Sequence, residues 1–165
     1  MTVRKLADLA EILPPHRRLL GLDLGERTIG LALSDTMRMV ASPLETLDRG
    51  KFTADATRLL DICAEHEVAA LIIGLPVNMD GTEGPRCQSA RAFARNFEAI
   101  FDMEMAFWDE RLSTAAVTRT MLEADMSRAR RKEVVDKMAA SYILQGALDY
   151  LANLESRRGD PEDDF

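Results

Sequence analysis

Two rhythms of apolar and polar positions alternate along the chain. Residues 18–23 (RLLGLD) form a short apolar run ending on an acid, and residues 29–34 (IGLALS) form another after a glycine-containing turn at 25–28. Two such runs across a short turn predict a β-hairpin. Residues 37–47 (MRMVASPLETL) predict a third, weaker strand, which Pro43, lacking an N–H for a ladder, places near a sheet edge. The spacing then changes: Ala56, Leu59, Leu60 and Cys63 recur on one face of a helix over residues 53–67. Residues 68–73 (VAALII) are a compact branched run suited to a strand buried on both faces. Residues 74–85 (GLPVNMDGTEGP) read as a loop, 86–101 as a helix, and 104–108 as a short strand that ends at Asp109 and Glu110. Ser113 is placed to cap a helix to about residue 123. A basic break at 127–132 (SRARRK) precedes a final helix to about residue 154, with Val135, Met138, Ala139, Tyr142, Gly146 and Tyr150 along one stripe. The order βββ-α-β-α-β-α-α predicts an α/β fold, a mixed sheet flanked by helices.

The chain of 165 residues suits one domain with a substantial core. The expected division is an N-terminal extension over 1–17, a body over 18–155 and an acidic, disordered tail over 156–165. In the extension, Leu6, Leu9 and Leu13 predict a short amphipathic helix packing on the body. Asp8 and Glu11 interrupt those leucines, so no secretory signal is read there. No apolar run approaches the ~20 residues that span a bilayer. The expected location is the cytoplasm, with no membrane partner. A net charge of −7 argues against a polycationic nucleic-acid coat, although the terminal DPEDDF inflates that figure. Cys63 and Cys87 form no CxxC pair, and His16 and His66 stand far apart, which argues against a zinc site and leaves any metal to be held by carboxylates.

Three features carry candidate chemistry. Asp23 closes the first strand and Glu110 follows the last, and sites in α/β sheets gather beyond the carboxyl ends of strands. Asp136 lies in the first turn of the expected final helix, at the margin of its apolar stripe. Converging carboxylates repel one another unless a divalent cation joins them, and all-oxygen ligation suits Mg2+ or Mn2+. Taken singly, each acid also has a structural use, in a turn, a helix cap or a helix dipole. The loop from 74 to 84 offers Gly81 and Gly84 for close backbone approach and Asn78 and Thr82 as hydrogen-bonding groups, in the manner of a phosphate contact or of an ordinary long turn. Finally, Arg128, Arg130, Arg131 and Lys132 bring positive charge just ahead of Asp136, which in an acidic chain favours phosphate contact over a merely solvated connection.

Four stretches occur in one order: GLDLGERTIGLALSD from Gly21, GLPVNMDGTEGPR from Gly74, FWDERLST from Phe107 and DKMAASYILQGAL from Asp136. In these the chain resembles the YqgF family of bacteria, whose members carry provisional names as Holliday junction resolvases and as nucleases maturing the 16S ribosomal RNA 5′ end. The resemblance implies a ribonuclease H-like fold with a five-stranded mixed sheet whose first three strands form an antiparallel meander. It maps the family's catalytic acids onto Asp23, Glu110 and Asp136, and makes residues 127–132 part of a mobile, substrate-facing loop. Members often carry Lys-Arg in the first hairpin turn, where this chain has Arg27-Thr28 and so one charge fewer. The implied activity is phosphodiester hydrolysis with Mg2+ or Mn2+ bound at the three acids. Arg27, Asn78, Arg111, Arg128, Arg130, Arg131 and Lys132 are the candidate nucleic-acid contacts.

Precursor 16S rRNA, free or in a ribosomal precursor particle, is the first expected substrate, and branched four-way DNA the second. Junction cleavage needs paired active sites, so it goes with a homodimer rather than a monomer. A noncatalytic RNA-binding ribosome-assembly factor is the third reading. An actin-like or sugar-kinase ATPase, which needs two domains and a second phosphate loop, does not fit in this length.

Overall fold

The computed structural model describes residues 3–112 and 128–158, with side chains described for 3–112 and 138–157. The helix expected after Ser113 and the tail from residue 159 lie outside the described residues. In chain order the elements are β1 (Val3–Arg4), α1 (Leu6–Ile12), β2 (Arg18–Leu24), β3 (Thr28–Ser34), β4 (Ala41–Asp48), α2 (Phe52–Glu65), β5 (Val68–Leu75), α3 (Pro85–Ile100) and β6 (Glu104–Asp109). A 3-10 turn, Glu110–Leu112, follows β6, and α4 spans Arg128–Arg158.

The six described strands form one sheet in the order β1-β6-β5-β2-β3-β4. The expected meander is present, since β2 pairs antiparallel with β3 and β3 with β4. β5 joins the other side of β2 in parallel, and β6 joins β5 in parallel. The strand count exceeds the expected five because the N-terminal extension adds β1 parallel to β6, with Val3 opposite Met105. A two-residue strand is too short to leave a periodic trace in sequence. Its hold is reinforced by Arg4, whose Nε donates to Glu104 Oε2 at 2.6 Å.

Pro43 does lie on an edge strand, β4, at a bulge where Leu31 faces Glu45 but Ala32 faces Pro43. That strand starts at Ala41, later than expected, because Asp35 Oδ1 accepts from the N–H groups of Met39 and Val40 and closes residues 35–40 into a turn.

Strand alternation sorts the core into two layers. Leu20, Leu22, Leu24, Leu71, Ile73, Leu75 and Met105 pack with α2 and α3, through Leu59, Ile62, Phe93 and Phe97. Leu19, Ala70, Ile72, Ala106 and Trp108 pack on the other side with α1 and α4. β5 is buried along nearly its whole length, as its branched run predicted. In α1, Leu6 and Leu9 are buried, so the extension does pack on the body.

The buried face of α4 is rotated from the expected stripe. It consists of Ala139, Ala140, Ile143, Leu144, Ala147 and Leu148, whereas Tyr142 and Gly146 are half-buried and Tyr150 is exposed. The winning row runs 140, 143, 144, 147, 148, a full helical repeat of small and branched side chains. It suits the sheet beneath, which offers Gly21 and Gly74 to Leu144 and Ile143. Among the described residues no helix is long and apolar enough to cross a membrane.

Candidate functional site

Asp23 occupies the penultimate position of β2, opposite Gly30 of β3. The registers Leu22↔Ile73 and Ile73↔Phe107 put Asp23, Gly74 and Trp108 side by side at the carboxyl ends of three parallel strands. By alternation Asp23 follows Leu19 and Gly21 onto the α4 side of the sheet. Its side chain keeps 18% of its surface, and its Oδ1 accepts a hydrogen bond from Arg86 Nη2 at 3.3 Å.

Glu110 is the first residue beyond β6 and opens the 3-10 turn. It is buried, at 8% exposure. Its charge reaches the first turn of α3: burial pushes the Cys87 thiol up, and the carboxylates of Glu83 and Glu110 push the same way. Asp23 thus meets the first turn of α3 directly, through Arg86, while Glu110 acts on the Cys87 thiol of that turn through its charge. That turn starts at Pro85, a residue preorganised for the first helical position, after Gly84 as the cap.

Asp136 lies within α4, in its third turn rather than its first, because the helix begins at Arg128. Arg128, Arg130, Arg131 and Lys132 are likewise on this helix instead of in the expected loop, since a run of Arg, Ala, Lys and Glu without Gly or Pro favours helix. The side chains of these five residues lie outside the described ones. The backbone direction still places them. Ile143 packs at Gly74, level with Asp23, whereas Gln145 Oε1 accepts from Ala41 N, which stands at the opposite end of the sheet. Residues preceding Ile143, Asp136 among them, thus lie toward the carboxyl ends of β2 and β5, and α4 approaches the 3-10 turn that holds Glu110.

The loop after β5 is closed on itself. Asn78 N donates to Thr82 O (2.9 Å), Gly81 N to Asn78 O (2.8 Å) and Asn78 Nδ2 to Thr82 Oγ1 (3.0 Å). Thr82 Oγ1 in turn donates to Asp80 Oδ1 at 2.6 Å, which with the Thr82 N–H holds the Asp80 carboxyl below its ordinary range. Asn78, expected as a nucleic-acid contact, is exposed and gives one Nδ2 hydrogen bond to the closure of the loop. Gly81 has φ +89°, the left-handed region that favours glycine, and a Cβ there would stand 3.8 Å from Arg111 Nη1.

Arg111 grips Asp109 with a fork, Nε to Oδ1 at 3.1 Å and Nη2 to Oδ2 at 2.7 Å, and that hydrogen bonding lowers the Asp109 pKa. The same bonding raises the Arg111 pKa, and the charge of Asp80 in the loop acts on Arg111 in that direction too. Arg27 is exposed in the β2–β3 turn, where its carbonyl accepts from Arg49 N at 2.8 Å.

Two basic residues escaped the sequence reading. Arg86 stood in a matched stretch but was hidden by its neighbours' loop composition. Arg49 Nη1 donates to Gly25 O at 2.7 Å and Nη2 to Ser89 Oγ at 3.2 Å, joining the first turn to α3; no local sequence signal marks it. Among the described residues no three Asp, Glu, His or Cys side chains form a metal-sized group, and the Asp136 side chain is not in that set. The donor chemistry that is described, two carboxylates at the ends of β2 and β6 on either side of β5, is of the all-oxygen kind that suits a hard divalent cation.

Comparison with known proteins bears on most of the chain. The family model described as "RuvX: Holliday junction resolvase" matches residues 17–150. A protein of Paramagnetospirillum magneticum is 60% identical over 149 residues, covering 90% of this chain and 96% of its own. One from Phenylobacterium zucineum is 60% identical over 156 residues, covering 93% and 100%. One from Ruegeria pomeroyi is 56% identical over 154 residues, with the same coverage. All three are provisionally named pre-16S rRNA nuclease. Among solved structures, RuvC of Thermus thermophilus superposes with a TM-score of 0.50 at 10% identity, covering 84% of this chain and 96% of that one, a likeness of fold. The α/β sheet has the ribonuclease H-like arrangement expected from the motifs.

Proposed function

This chain belongs to the RuvX/YqgF family, and on that premise we propose that it is a divalent-cation-dependent nuclease that hydrolyses phosphodiester bonds in precursor 16S rRNA. The observation that carries this reading is the position of Asp23, at the carboxyl end of an inner strand, with Glu110 buried directly after the end of β6 on the far side of β5. Relatives sharing more than half their residues with this chain over nearly their full length, and named for that substrate, support the choice of RNA. The cytoplasm, where such a substrate would be met, is the compartment this reading requires.

Asp23, Glu110 and Asp136 hold the cation through carboxylate oxygens, and Mg2+ or Mn2+ bound there supplies Lewis acidity toward the reacting phosphodiester. Arg27, on its exposed turn, and Arg128, Arg130, Arg131 and Lys132 on α4 neutralise flanking phosphates. Arg111 and Asn78 act one step back: they hold the 3-10 turn and the loop, and with them the position of Glu110.

The test is cleavage of two labelled substrates in Mg2+ or Mn2+, an RNA spanning the 16S precursor 5′ end and a four-way DNA junction. Wild type and Asp23→Asn are run side by side under single-turnover conditions. RNA cleavage that is lost in a folded Asp23→Asn variant is the expected result. Wild-type activity in that variant would sink the assignment of Asp23. Acid-dependent cleavage of the junction alone would favour the resolvase reading that the family description names. Tight RNA binding with no cleavage, even on the precursor particle, would favour an assembly factor.

A further inference from the structure

Three arginines face carboxylates around this site, and they do so differently. Arg91 meets Glu83 with Nε at 2.6 Å and Nη2 at 2.8 Å, and Arg111 meets Asp109 with the same two nitrogens. Those pairs are bidentate, as a planar guanidinium prefers. Arg86 is not. Its contacts, to Asp23 Oδ1 at 3.3 Å and to Leu24 O at 3.5 Å, both use Nη2. The side chain remains 48% exposed. A guanidinium carries five N–H donors, and the Nε and Nη1 donors of Arg86 take no part in these two contacts. Its root is rigid, because Arg86 follows Pro85 in the first turn of a 16-residue helix whose N-terminal end itself favours negative charge.

We propose that Arg86 is a positioning residue shared between Asp23 and the substrate backbone, drawing on the same carboxylate as the divalent cation and turning its unused donors to a phosphate oxygen. This rests on the reading of Asp23 as a cation ligand. Two positive charges at one carboxylate repel each other, so the guanidinium weakens cation binding. A phosphate entering the site relieves that repulsion, since its negative charge lies between them. Cation and nucleic acid then bind with positive coupling through Arg86.

The experiment measures Mn2+ binding to the full chain by titration calorimetry, and separately the salt dependence of binding to a short labelled single-stranded RNA in EDTA, where turnover is silent. Arg86→Ala is expected to tighten Mn2+ binding roughly three- to tenfold, a modest range because the pair is partly exposed. It should also lower the slope of log K against log salt by about 0.7, the loss of one phosphate contact on a single strand. Arg86→Gln, which keeps an amide of similar reach without charge, should repeat the Mn2+ result. Arg86→Lys, which keeps the charge, should leave it near wild type. Mn2+ affinity that is unchanged or weaker in the folded Ala and Gln variants, or an unchanged salt slope, would overturn the proposal. Asp23→Asn separates the two layers. If it leaves Mn2+ binding intact, the ligand reading of Asp23 fails and Arg86 with it; if it removes binding while Arg86→Ala is silent, the role of Arg86 alone fails.

Discussion

Gly21 and Leu144 meet so closely that a Cβ on the glycine would stand 2.7 Å from that of the leucine and 3.1 Å from the Ala140 carbonyl. Neither neighbour can rotate away, because one is a Cβ and the other is helix backbone. Gly21→Ala must therefore lift α4 from β2, at a cost of about 1–3 kcal/mol for overpacking. The lowered unfolding midpoint is readable by urea or thermal melts. The displaced helix carries Asp136, so kcat should fall as well. A variant with wild-type midpoint and wild-type kcat would contradict this packing.

Leu9 anchors the N-terminal extension. It is fully buried in the layer shared with Trp108 and α4, and the extension also covers the outer edge of β6. Leu9→Ala leaves a cavity that a one-sided helix of seven residues fills only by shifting. The expected loss is roughly 2–4 kcal/mol, with earlier protease cleavage ahead of Arg18. A loss below about 0.5 kcal/mol, the range of surface substitutions, would mean that α1 is dispensable to the body.

What was legible in the sequence followed the strength of its period. The hairpin, the buried β5 and the helices α2 and α3 have runs long enough for alternation or a 3.6-residue repeat to show. The extension's β1 had only two residues and a partner a hundred positions away. The face of α4 was misjudged because Tyr142 and Tyr150 are apolar enough to look like core, whereas the sheet's glycines select small and branched partners. At the candidate site, the strand-end positions of Asp23 and Glu110 were legible because each acid closes or follows a short apolar run. Arg86 was not, since nothing local tells that a loop-adjacent arginine will meet an acid 63 residues earlier.

Stability should decline on the acid side. Arg111's hydrogen bonds hold the Asp109 carboxyl below its ordinary range, and the N–H groups of Val40 and Met39 do the same for Asp35. With folded-state pKa values depressed, the unfolded chain takes up protons first. The stabilisation is complete above the unfolded carboxylate pKa of about 4 and is lost as pH falls through the lower folded values. The melting temperature should thus hold between about pH 7 and 5 and drop below about pH 4. Both partners of the Asp109 pair retain solvent contact, so its share is small. Asp109→Asn should make the acid decline shallower. A slope parallel to wild type would assign the acid sensitivity elsewhere.

Gly81 offers the sharpest separation of shape from chemistry in the loop. Its φ of +89° disfavours any L side chain, yet space is not limiting, because a Cβ would reach no closer than 3.8 Å to Arg111 Nη1. Any effect of Gly81→Ala is therefore conformational, about 1 kcal/mol of strain borne by the turn that donates to Asn78 O. A loop can release that strain locally by opening, which would leave the core's melting temperature almost unmoved. Opening would move the exposed Asn78 and Asp80 relative to Arg111, so on the proposed function KM for the RNA should rise several-fold. Gly81→Asn is the control: asparagine tolerates positive φ better than alanine does, so it should recover most of the affinity despite its larger side chain. If alanine were instead the milder substitution, crowding rather than backbone conformation would govern this position.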